Sequence, residues 1–217
     1  MESIELNYNS LASLGYVSCN IPKDIMEITR KEINKMISTK FKNSRKYNYR
    51  LAGTIEHEYS LVKVVPILNQ FFREIIPAYW QMQNETEKAK KIYQISKQVN
   101  NNIDDIWVNF QKKYEFNPLH NHGGEISFVY WTNIPYDIVE ESKLPIFSGT
   151  LIKNPVFTFV YNDYNRIIMQ HDINVDKSFE GRMIIFPSWL KHMVTPFYTS
   201  DEYRISVSGN LVAVNNG

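Results

Sequence analysis

Three histidines and one arginine in the second half of the chain have the residue types and spacing of a metal site beside an anion site. His120 and His122 stand two residues apart, and residues two apart on an extended segment point to the same side. His192 follows 70 residues after His122, and Arg204 follows His192 by 12 residues. Arg204 begins a predicted strand on which Ser206 shares its face. The spacing therefore predicts converging imidazoles with a guanidinium nearby.

This arrangement suits oxygen chemistry at a non-haem iron. Fe(II) that activates oxygen takes three protein ligands on one octahedral face and keeps the other positions open. Two open positions can chelate a 2-oxoacid through its keto oxygen and carboxylate, and the third can accept O₂. The far carboxylate of such a co-substrate needs a fixed cation. Arg204 can supply it bidentately, and the hydroxyl of Ser206 can add a hydrogen bond.

Composition excludes several other classes of protein. The 217 residues are 43% hydrophobic and 14% aromatic, as in a compact globular domain. The 24 basic and 23 acidic residues nearly cancel, so no global field indicates nucleic acid or an anionic membrane as partner. Cys19 is the only cysteine, which excludes an intramolecular disulfide and a cysteine-cage zinc site. Without a signal peptide or an apolar run of roughly 18 residues, we expect a cytoplasmic protein.

The sequence pattern changes near residue 100, from helical periodicity to short β-branched and aromatic runs. Residues 1–100 are predicted to form a helical subdomain, because apolar residues recur at helical spacing in 25–37 and 61–79. Residues 101–217 are predicted to form the β-rich core, because β-branched and aromatic runs alternate there with turn residues. The expected strands are Ile106–Gln111, Ile126–Ile134, Ile146–Leu151, Val156–Tyr161, Ile167–Asp172, Met183–Phe186, His192–Val194 and Arg204–Val214. Their number and spacing favour a sandwich or jelly roll, with residues 136–143 as an inserted acidic loop.

The second half of the chain also resembles a known family. Residues 106–210 are similar to 2-oxoglutarate/Fe(II)-dependent oxygenases, in particular the prolyl-hydroxylase-like group common in bacteria and their phages. The stretches that carry the resemblance are Trp107-Val108-Asn109-Phe110, Asn117-Pro118-Leu119-His120-Asn121-His122, Ser127-Phe128-Val129-Tyr130-Trp131, Phe186-Pro187-Ser188-Trp189-Leu190-Lys191-His192 and Arg204-Ile205-Ser206-Val207-Ser208-Gly209-Asn210. The resemblance implies a double-stranded β-helix (a cupin-like jelly roll), with the helical half packed on it in an α+β fold. It implies Fe(II), 2-oxoglutarate, O₂ and an unidentified substrate, with a peptidyl proline as one candidate, in the host cytoplasm if the protein is phage-encoded.

The ligand set departs from the family pattern. Most of these oxygenases use His-x-Asp or His-x-Glu, and here the third position of that motif is His122. In one assignment His120, His122 and His192 all bind the metal. In a second, Glu125 supplies a carboxylate beside His122 and His192. In a third, His120 and His192 bind the metal and His122 only forms a hydrogen bond nearby. The first is preferred, because His-x-His stands where His-x-Asp stands in the family.

Two further questions stay open at this level. The family often places a tyrosine beside the co-substrate, and Tyr130 is assigned that role, although alternation alone does not choose between it and Trp131. The function has alternatives as well. A three-histidine cupin-type dioxygenase would oxidise its substrate without 2-oxoglutarate, and a non-enzymatic jelly-roll module would use the histidines structurally.

Overall fold

The protein is a mixed α/β structure with two antiparallel sheets and few helices, so the prediction of an α+β fold is confirmed at this level. The computed structural model describes residues 4–12, 14–85, 100–148 and 155–214. The helices are α1 (Lys23–Ser38), α2 (Val65–Glu85) and α3 (Ile138–Ser142) within these ranges. The strands are β1 (Asn7–Leu11), β2 (Leu14–Asn20), β3 (His57–Ser60), β4 (Asn100–Gln111), β5 (Asn117–His120), β6 (Ile126–Asn133), β7 (Val156–Asn162), β8 (Ile168–Asn174), β9 (Arg182–Pro187), β10 (Lys191–Val194) and β11 (Arg204–Val214).

The strands form one large and one small sheet. The large sheet has the order β1-β2-β9-β6-β11-β4-β3, and the small sheet has the order β5-β10-β7-β8. Three strands of the large sheet come from the first hundred residues, which the sequence had predicted to be helical. Strands β1 and β2 together contain three Asn, two Ser and one Gly, β3 is only four residues long, and none of the three has a regular alternation of apolar residues, so no strand signal marks them. The domain boundary at residue 100 stays a prediction.

Helix α1 contains the helical pattern that the sequence shows over residues 25–37. Pro22 occupies the N-cap position, with the φ of −55° that its ring imposes. Asp24 lies in the first turn and Lys35 in the last, where each charge complements the helix dipole. Ile25, Met26, Thr29 and Ile33 form the buried face, at helical spacing. This face packs the helix onto the large sheet.

Helix α2 is longer than the sequence predicted. Pro66 lies in its first turn, where a missing N–H costs little. Pro77 lies inside the helix, where a proline removes a hydrogen bond, yet α2 continues to Glu85. Buried Ile75, Ile76 and Tyr79 hold this turn against the sheet, which offsets the lost hydrogen bond. No helix in the described part of the chain is long and apolar enough to cross a membrane.

Two apolar clusters separate three layers. One cluster joins α1 and α2 to the outer face of the large sheet, and it includes Phe128, Tyr130 and Ile185. The other lies between the two sheets and includes Trp131 and Phe157. Because side chains alternate along a strand, neighbouring residues of β6 enter different clusters. The site described below lies between the sheets.

The acidic segment 136–143, which the sequence predicts as an inserted loop, is partly helical. It contains α3, whose N-cap Asp137 accepts hydrogen bonds from the backbone nitrogens of Val139 and Glu140 at 2.7 and 3.3 Å. Glu141 is fully buried, and its Oε1 accepts from the backbone nitrogens of Tyr198 and Thr199 at 3.0 and 2.7 Å. A carboxylate therefore fixes this segment to the chain that precedes β11.

Seven of the eight strands expected after residue 100 are observed, with bounds that differ by a few residues. The exception is Ile146–Leu151. Its first residues belong to a 3₁₀ turn, Pro145–Phe147, and residues 149–151 lie outside the described residues. Strand β5, which carries His120, was not predicted, because Pro118 argues against a strand and is tolerated only at an edge.

Candidate active site

The three histidines lie together at one end of the small sheet. His120 ends β5 and His192 lies in β10, and the two are direct partners in the antiparallel ladder. His122 follows β5, and its backbone nitrogen donates to the carbonyl oxygen of Ser188 at 2.9 Å. The tight turn between β9 and β10 therefore positions two of the histidines. The spacing had predicted this convergence from residues far apart along the chain.

The distances within the group fit a shared ion. One ligand nitrogen from each of the three residues lies within 4.8 Å of the other two. The Nε2 atoms of His122 and His192 are 3.2 Å apart. Imidazole nitrogens bind a divalent ion at about 2.1 Å, so neighbouring ligands on an octahedron lie about 3 Å apart. The pair His122–His192 already has this separation.

Backbone carbonyls set the protonation of two imidazoles. His120 Nδ1 lies 2.7 Å from the oxygen of Pro118, and His192 Nδ1 lies 2.9 Å from the oxygen of Leu190. A carbonyl oxygen only accepts, so both Nδ1 atoms donate. In the neutral ring this leaves the Nε2 lone pair free for a metal, the arrangement that second-shell carbonyls produce in metal sites.

Burial keeps the group neutral. It lowers the pKa of His122 to about 4, and the neighbouring His120 adds to the effect. Burial also lowers the pKa of His120, against the opposing effect of its hydrogen bond to Pro118. The pKa of His192 lies well below its ordinary value, first through burial and then through the two other histidines. Neutral imidazoles are the form that binds metal, so protons compete weakly here at neutral pH.

Arg204 is the buried cation of the site, with 2% of its surface exposed. Its Nε and Nη2 donate to Gln111 Oε1 at 3.1 and 2.6 Å, and its Nη1 donates to Tyr136 Oη at 2.9 Å. Nη2 also donates to the backbone oxygen of Thr195 at 2.9 Å. Among the described residues, no carboxylate lies within 4.0 Å of this guanidinium. A buried charge held only by neutral groups is costly unless an anion joins it.

A single cavity connects the guanidinium to the histidines. Strand alternation places Arg204, Ser206 and Ser208 on its wall, as predicted. The opposite partners on β4 also face it. The residues that line the cavity are Leu51, Ala52, Ile55, Trp107, Asn109, Gln111, Asn117, His120, His122, Phe128, Val129, Trp131, Phe157, Phe186, His192, Val194, Arg204, Ser206 and Ser208. A ligand in this cavity would meet imidazoles at one end and a cation at the other.

The segment 51–55 covers part of the cavity. Its Gly53 has a φ of +137°, and a Cβ at this position would lie 2.5 Å from Asn117 Oδ1. Thr54 then joins the segment to the chain before β5, because its backbone nitrogen donates to the oxygen of Phe116 at 3.0 Å. Only glycine permits this close approach. The first half of the chain thus contributes to the wall of the site.

Two residues considered from the sequence lie away from the group. Glu125 Oε2 accepts from Asn101 Nδ2 at 2.8 Å, and Glu125 does not belong to the cluster of candidate ligands. Tyr130 is fully buried on the helix side of β6, where its hydroxyl lies 3.0 Å from Thr29 Oγ1. Its neighbour Trp131 faces the cavity instead. The structure therefore does not bring Tyr130 to the co-substrate site for which the sequence had proposed it.

Two partners of Arg204 were missed by sequence reasoning. Gln111 is its register partner across β4 and β11, and Tyr136 follows β6 in the segment that had been read as a loop. Tyr136 is held in turn, since its hydroxyl donates to the oxygen of Val175 at 2.8 Å. The signal for Gln111 was available, because it ends a predicted strand. No local signal marked Tyr136.

Comparisons with known proteins are consistent with this geometry. Residues 105–210 match the model of a family described as "Putative 2OG-Fe(II) oxygenase". No curated protein matches the sequence. A solved prolyl-4-hydroxylase from Pseudomonas putida is similar, with a TM-score of 0.54 and 12% identity over 92% of each chain. An oxidoreductase of the 2OG-Fe(II) oxygenase family from Burkholderia pseudomallei has a TM-score of 0.43 and 13% identity, over 97% of this chain and 73% of that one. The Pseudomonas likeness shows a shared fold.

Proposed function

Because residues 105–210 match the 2OG-Fe(II) oxygenase family model, we propose that the protein is a non-haem dioxygenase that hydroxylates a C–H bond of a separate substrate. The family is one of oxidoreductases that use Fe(II) and 2-oxoglutarate. In this proposal one oxygen atom of O₂ enters the substrate as a hydroxyl, and the other enters 2-oxoglutarate, which leaves as succinate and CO₂. The two sheets would then form a double-stranded β-helix, with the site between them.

The observation that carries the proposal is one cavity with three neutral imidazoles at one end and an unpaired cation at the other. His120, His122 and His192 would hold the iron. All three are nitrogen donors, and imidazole suits iron. The ion would supply the oxidising chemistry when bound. The protein supplies the geometry, because the carbonyls of Pro118 and Leu190 orient two of the rings.

Arg204 would hold the far carboxylate of 2-oxoglutarate. Gln111 and Tyr136 use three of its hydrogen-bonding contacts and fix the guanidinium before any ligand arrives. A fixed donor loses little freedom on binding, which favours affinity. Ser206 stands two residues along the same face and would add a hydroxyl to this end of the site. The absence of an acidic partner among the described residues favours a dicarboxylate ligand.

The substrate class is the least defined part of the proposal. The Pseudomonas protein of the same fold is named a prolyl-4-hydroxylase. A peptidyl proline is therefore the first substrate to test, followed by other protein side chains and small metabolites. Segment 51–55 covers the cavity and is the place where a substrate would make contact.

The first test measures the release of succinate from 2-oxoglutarate in the absence of a primary substrate. Purified protein with Fe(II), 2-oxoglutarate, O₂ and ascorbate should release succinate without a primary substrate, because ascorbate supplies the two electrons that reduce the second oxygen atom to water. His192→Ala should abolish this release. His171→Ala is the matched control, because His171 bonds to Tyr16 outside the metal cluster and should leave turnover unchanged. Retained turnover in His192→Ala would contradict the assignment of this ligand.

A second measurement separates the proposal from the alternatives. Adding 2-oxoglutarate to the Fe(II) protein without oxygen should produce a visible charge-transfer band. Iron binding without such a band would instead favour a three-histidine dioxygenase that does not use 2-oxoglutarate. Failure to bind iron would favour a non-enzymatic binding module. Mass spectrometry of candidate peptides for one added oxygen atom then tests the substrate class.

A further inference from the structure

Positive charge is concentrated in the chain that precedes segment 51–55, the cover of the cavity. No acidic residue occurs between Glu32 and Glu56, whereas six basic residues do. They are Lys35, Lys40, Lys42, Arg45, Lys46 and Arg50. The whole chain has a net charge of only +1, so the rest of it is acidic on balance. We call residues 35–50 the basic stretch.

Most of these charges have no counter-charge within the protein. All six basic side chains of the stretch are exposed. Arg50 forms an ion pair with Asp105 at 3.1 Å. The other five form no ion pair with any residue that the structure describes. Like charges on one surface repel each other, and an acidic partner relieves that repulsion.

Backbone contacts hold the basic stretch in place beside the cavity. The backbone nitrogen of Ser60 donates to the oxygen of Arg45 at 2.9 Å, and that of Tyr47 donates to the oxygen of Glu58 at 2.8 Å. This part of the stretch therefore runs antiparallel along the outer edge of β3. The ring of Tyr47 stacks on Trp107 of the cavity wall, with the centroids 5.6 Å apart. The charges thus belong to a fixed surface and not to a free loop.

A groove of about 320 Å³ opens within this surface, between the end of α1 and the chain around β3. Its lining includes Lys35, Ser44, Arg45 and Lys63. Glu32 also lines the groove, but its Oε2 is paired with the Nζ of Lys63 at 2.9 Å. Lys35 and Arg45 are left to bind a carboxylate from outside the protein. A recess lined by cations attracts an acidic side chain more strongly than a flat surface does.

The aromatic residues of the stretch distinguish between two kinds of polyanion. Single-stranded nucleic acid needs aromatic rings on which successive bases stack, as well as positive charge. Phe41 instead packs against Tyr59, with the ring centroids 4.9 Å apart, and Tyr47 is only 6% exposed. Of the three aromatic residues in the stretch, Tyr49 alone is open to a ligand, with 72% of its surface exposed. Charge therefore dominates the surface, which favours an acidic polypeptide.

We propose that the basic stretch is a docking surface for an acidic polypeptide. Segment 51–55 follows the stretch directly along the chain and lines the cavity. A polypeptide bound to the stretch therefore lies beside the cavity and can present one of its side chains to the site. The role of that polypeptide as substrate rests on the proposed function, whereas its binding does not.

The experiment measures binding of a fluorescent oligoglutamate peptide to the full-length protein by anisotropy at low ionic strength. Lys42→Gln, Arg45→Gln and Lys46→Gln are combined in one variant, and all three positions are exposed, so the fold is retained. We expect the Kd of this variant to be about 10-fold higher than that of wild type, from three lost surface contacts. Salt at about 0.5 M should also weaken wild-type binding, because it shortens the screening length.

A matched variant controls for net charge. Lys23→Gln, Arg166→Gln and Lys177→Gln together remove the same three charges from exposed positions elsewhere and should leave the Kd unchanged. An absence of oligoglutamate binding, or one Kd for all three proteins, would overturn the inference. Tighter binding of a labelled oligothymidylate would overturn it too, in favour of single-stranded nucleic acid.

Succinate release keeps this inference apart from the proposed function. A protein that binds oligoglutamate at the stretch but never releases succinate loses the proposed function and keeps the docking surface. A protein that releases succinate but does not bind oligoglutamate loses the docking surface alone.

Discussion

The two faces of the large sheet are made by the same strands, yet they have different tasks. The face toward α1 and α2 is apolar and includes Val207, Tyr130 and Ile185 in one packed cluster. The face toward the small sheet carries Arg204 and Asn109 on neighbouring strands, together with other polar groups. Adjacent residues of a single strand therefore belong to the core or to the cavity.

Along each strand, a residue that stabilises the fold is therefore followed by one that faces the ligand cavity. The apolar face gains its free energy from buried area and dispersion. The cavity face buries polar groups that only partly satisfy one another, as the orphaned oxygen of Asn109 illustrates. Proteins retain such groups where a ligand completes them. Substitutions on the two faces should thus affect different measurements.

The largest expected effect is a loss of stability from the helix-facing side. Ile185 is fully buried in the cluster beneath the helices. Ile185→Ala should lower the free energy of unfolding by about 2–5 kcal/mol, because it leaves a cavity, and should leave 2-oxoglutarate affinity unchanged in the folded fraction. Urea denaturation and the anaerobic titration measure the two quantities. Ile168→Ala is the control at an exposed position, with an expected change within about 0.5 kcal/mol.

The counterpart on the cavity face is Arg204→Met, which keeps the volume and removes the charge. We expect the Kd for 2-oxoglutarate to rise about 100-fold, or about 2.8 kcal/mol, since the charge-assisted contact to the far carboxylate is lost. Fe(II) binding should remain. Arg182→Met removes the same charge from an exposed position and should change neither quantity. An unaltered Kd in Arg204→Met would show that the anchor lies elsewhere.

The third prediction concerns the pH dependence of stability. Glu58 lies in the edge strand β3, opposite Asn109 of β4. Burial, with a further contribution from Glu115, raises the pKa of Glu58 to about 8. Between the ordinary value of 4.5 and about 8, the folded protein therefore holds a proton that the unfolded chain releases. The free energy of unfolding should fall as pH rises through this range and level off above it. In Glu58→Gln this contribution disappears, so the variant gains stability over wild type as pH increases.

Urea denaturation at several pH values measures the difference between the two proteins. Taking the difference removes the histidines, whose lowered pKa values give the opposite slope below pH 6.5. Glu56→Gln, at an exposed position, is the matched control and should retain the wild-type profile. A Glu58→Gln profile parallel to wild type would contradict the assignment of Glu58 as a neutral group.

The smallest expected effect comes from Tyr130→Phe. Removing its hydroxyl deletes one buried hydrogen bond to Thr29 and should cost about 1 kcal/mol of stability. The Kd for 2-oxoglutarate should stay at the wild-type value, because the ring lies on the helix side of the sheet. A weakened Kd would break the division between the two faces, since it would couple the helix side to the ligand.

Sequence reasoning could predict what depends on local pattern. The alternation of Arg204, Ser206 and Ser208 follows from the period of a strand, and the structure has it. The meeting of His120, His122 and His192 was expected from their place beside strand ends. Their role as ligands stays a proposal. Strands after residue 100 were found because β-branched and aromatic runs end at turns.

The sequence could not predict which face of a fully buried strand each side chain occupies. It also could not predict contacts between residues far apart along the chain. Strand β6 is buried on both sides, so its apolar run gives no polarity to choose between Tyr130 and Trp131. Gln111 meets Arg204 through the register of two strands 93 residues apart. Glu141 looks like a solvated charge in the sequence, and only the tertiary structure supplies the amides that bury it.

The pairing of β5 with β10 has a consequence for the durability of the molecule. Only two residue pairs, His192 with His120 and Val194 with Asn117, join these strands. An ion bound by both imidazoles would cross-link β5 and β10, the two strands with the fewest paired residues. A ligand that binds only the native state stabilises it against unfolding, so the Tm should rise with the concentration of the metal. Without iron, the edge of the small sheet at β5 would then be less stable, and the enzyme would also be inactive.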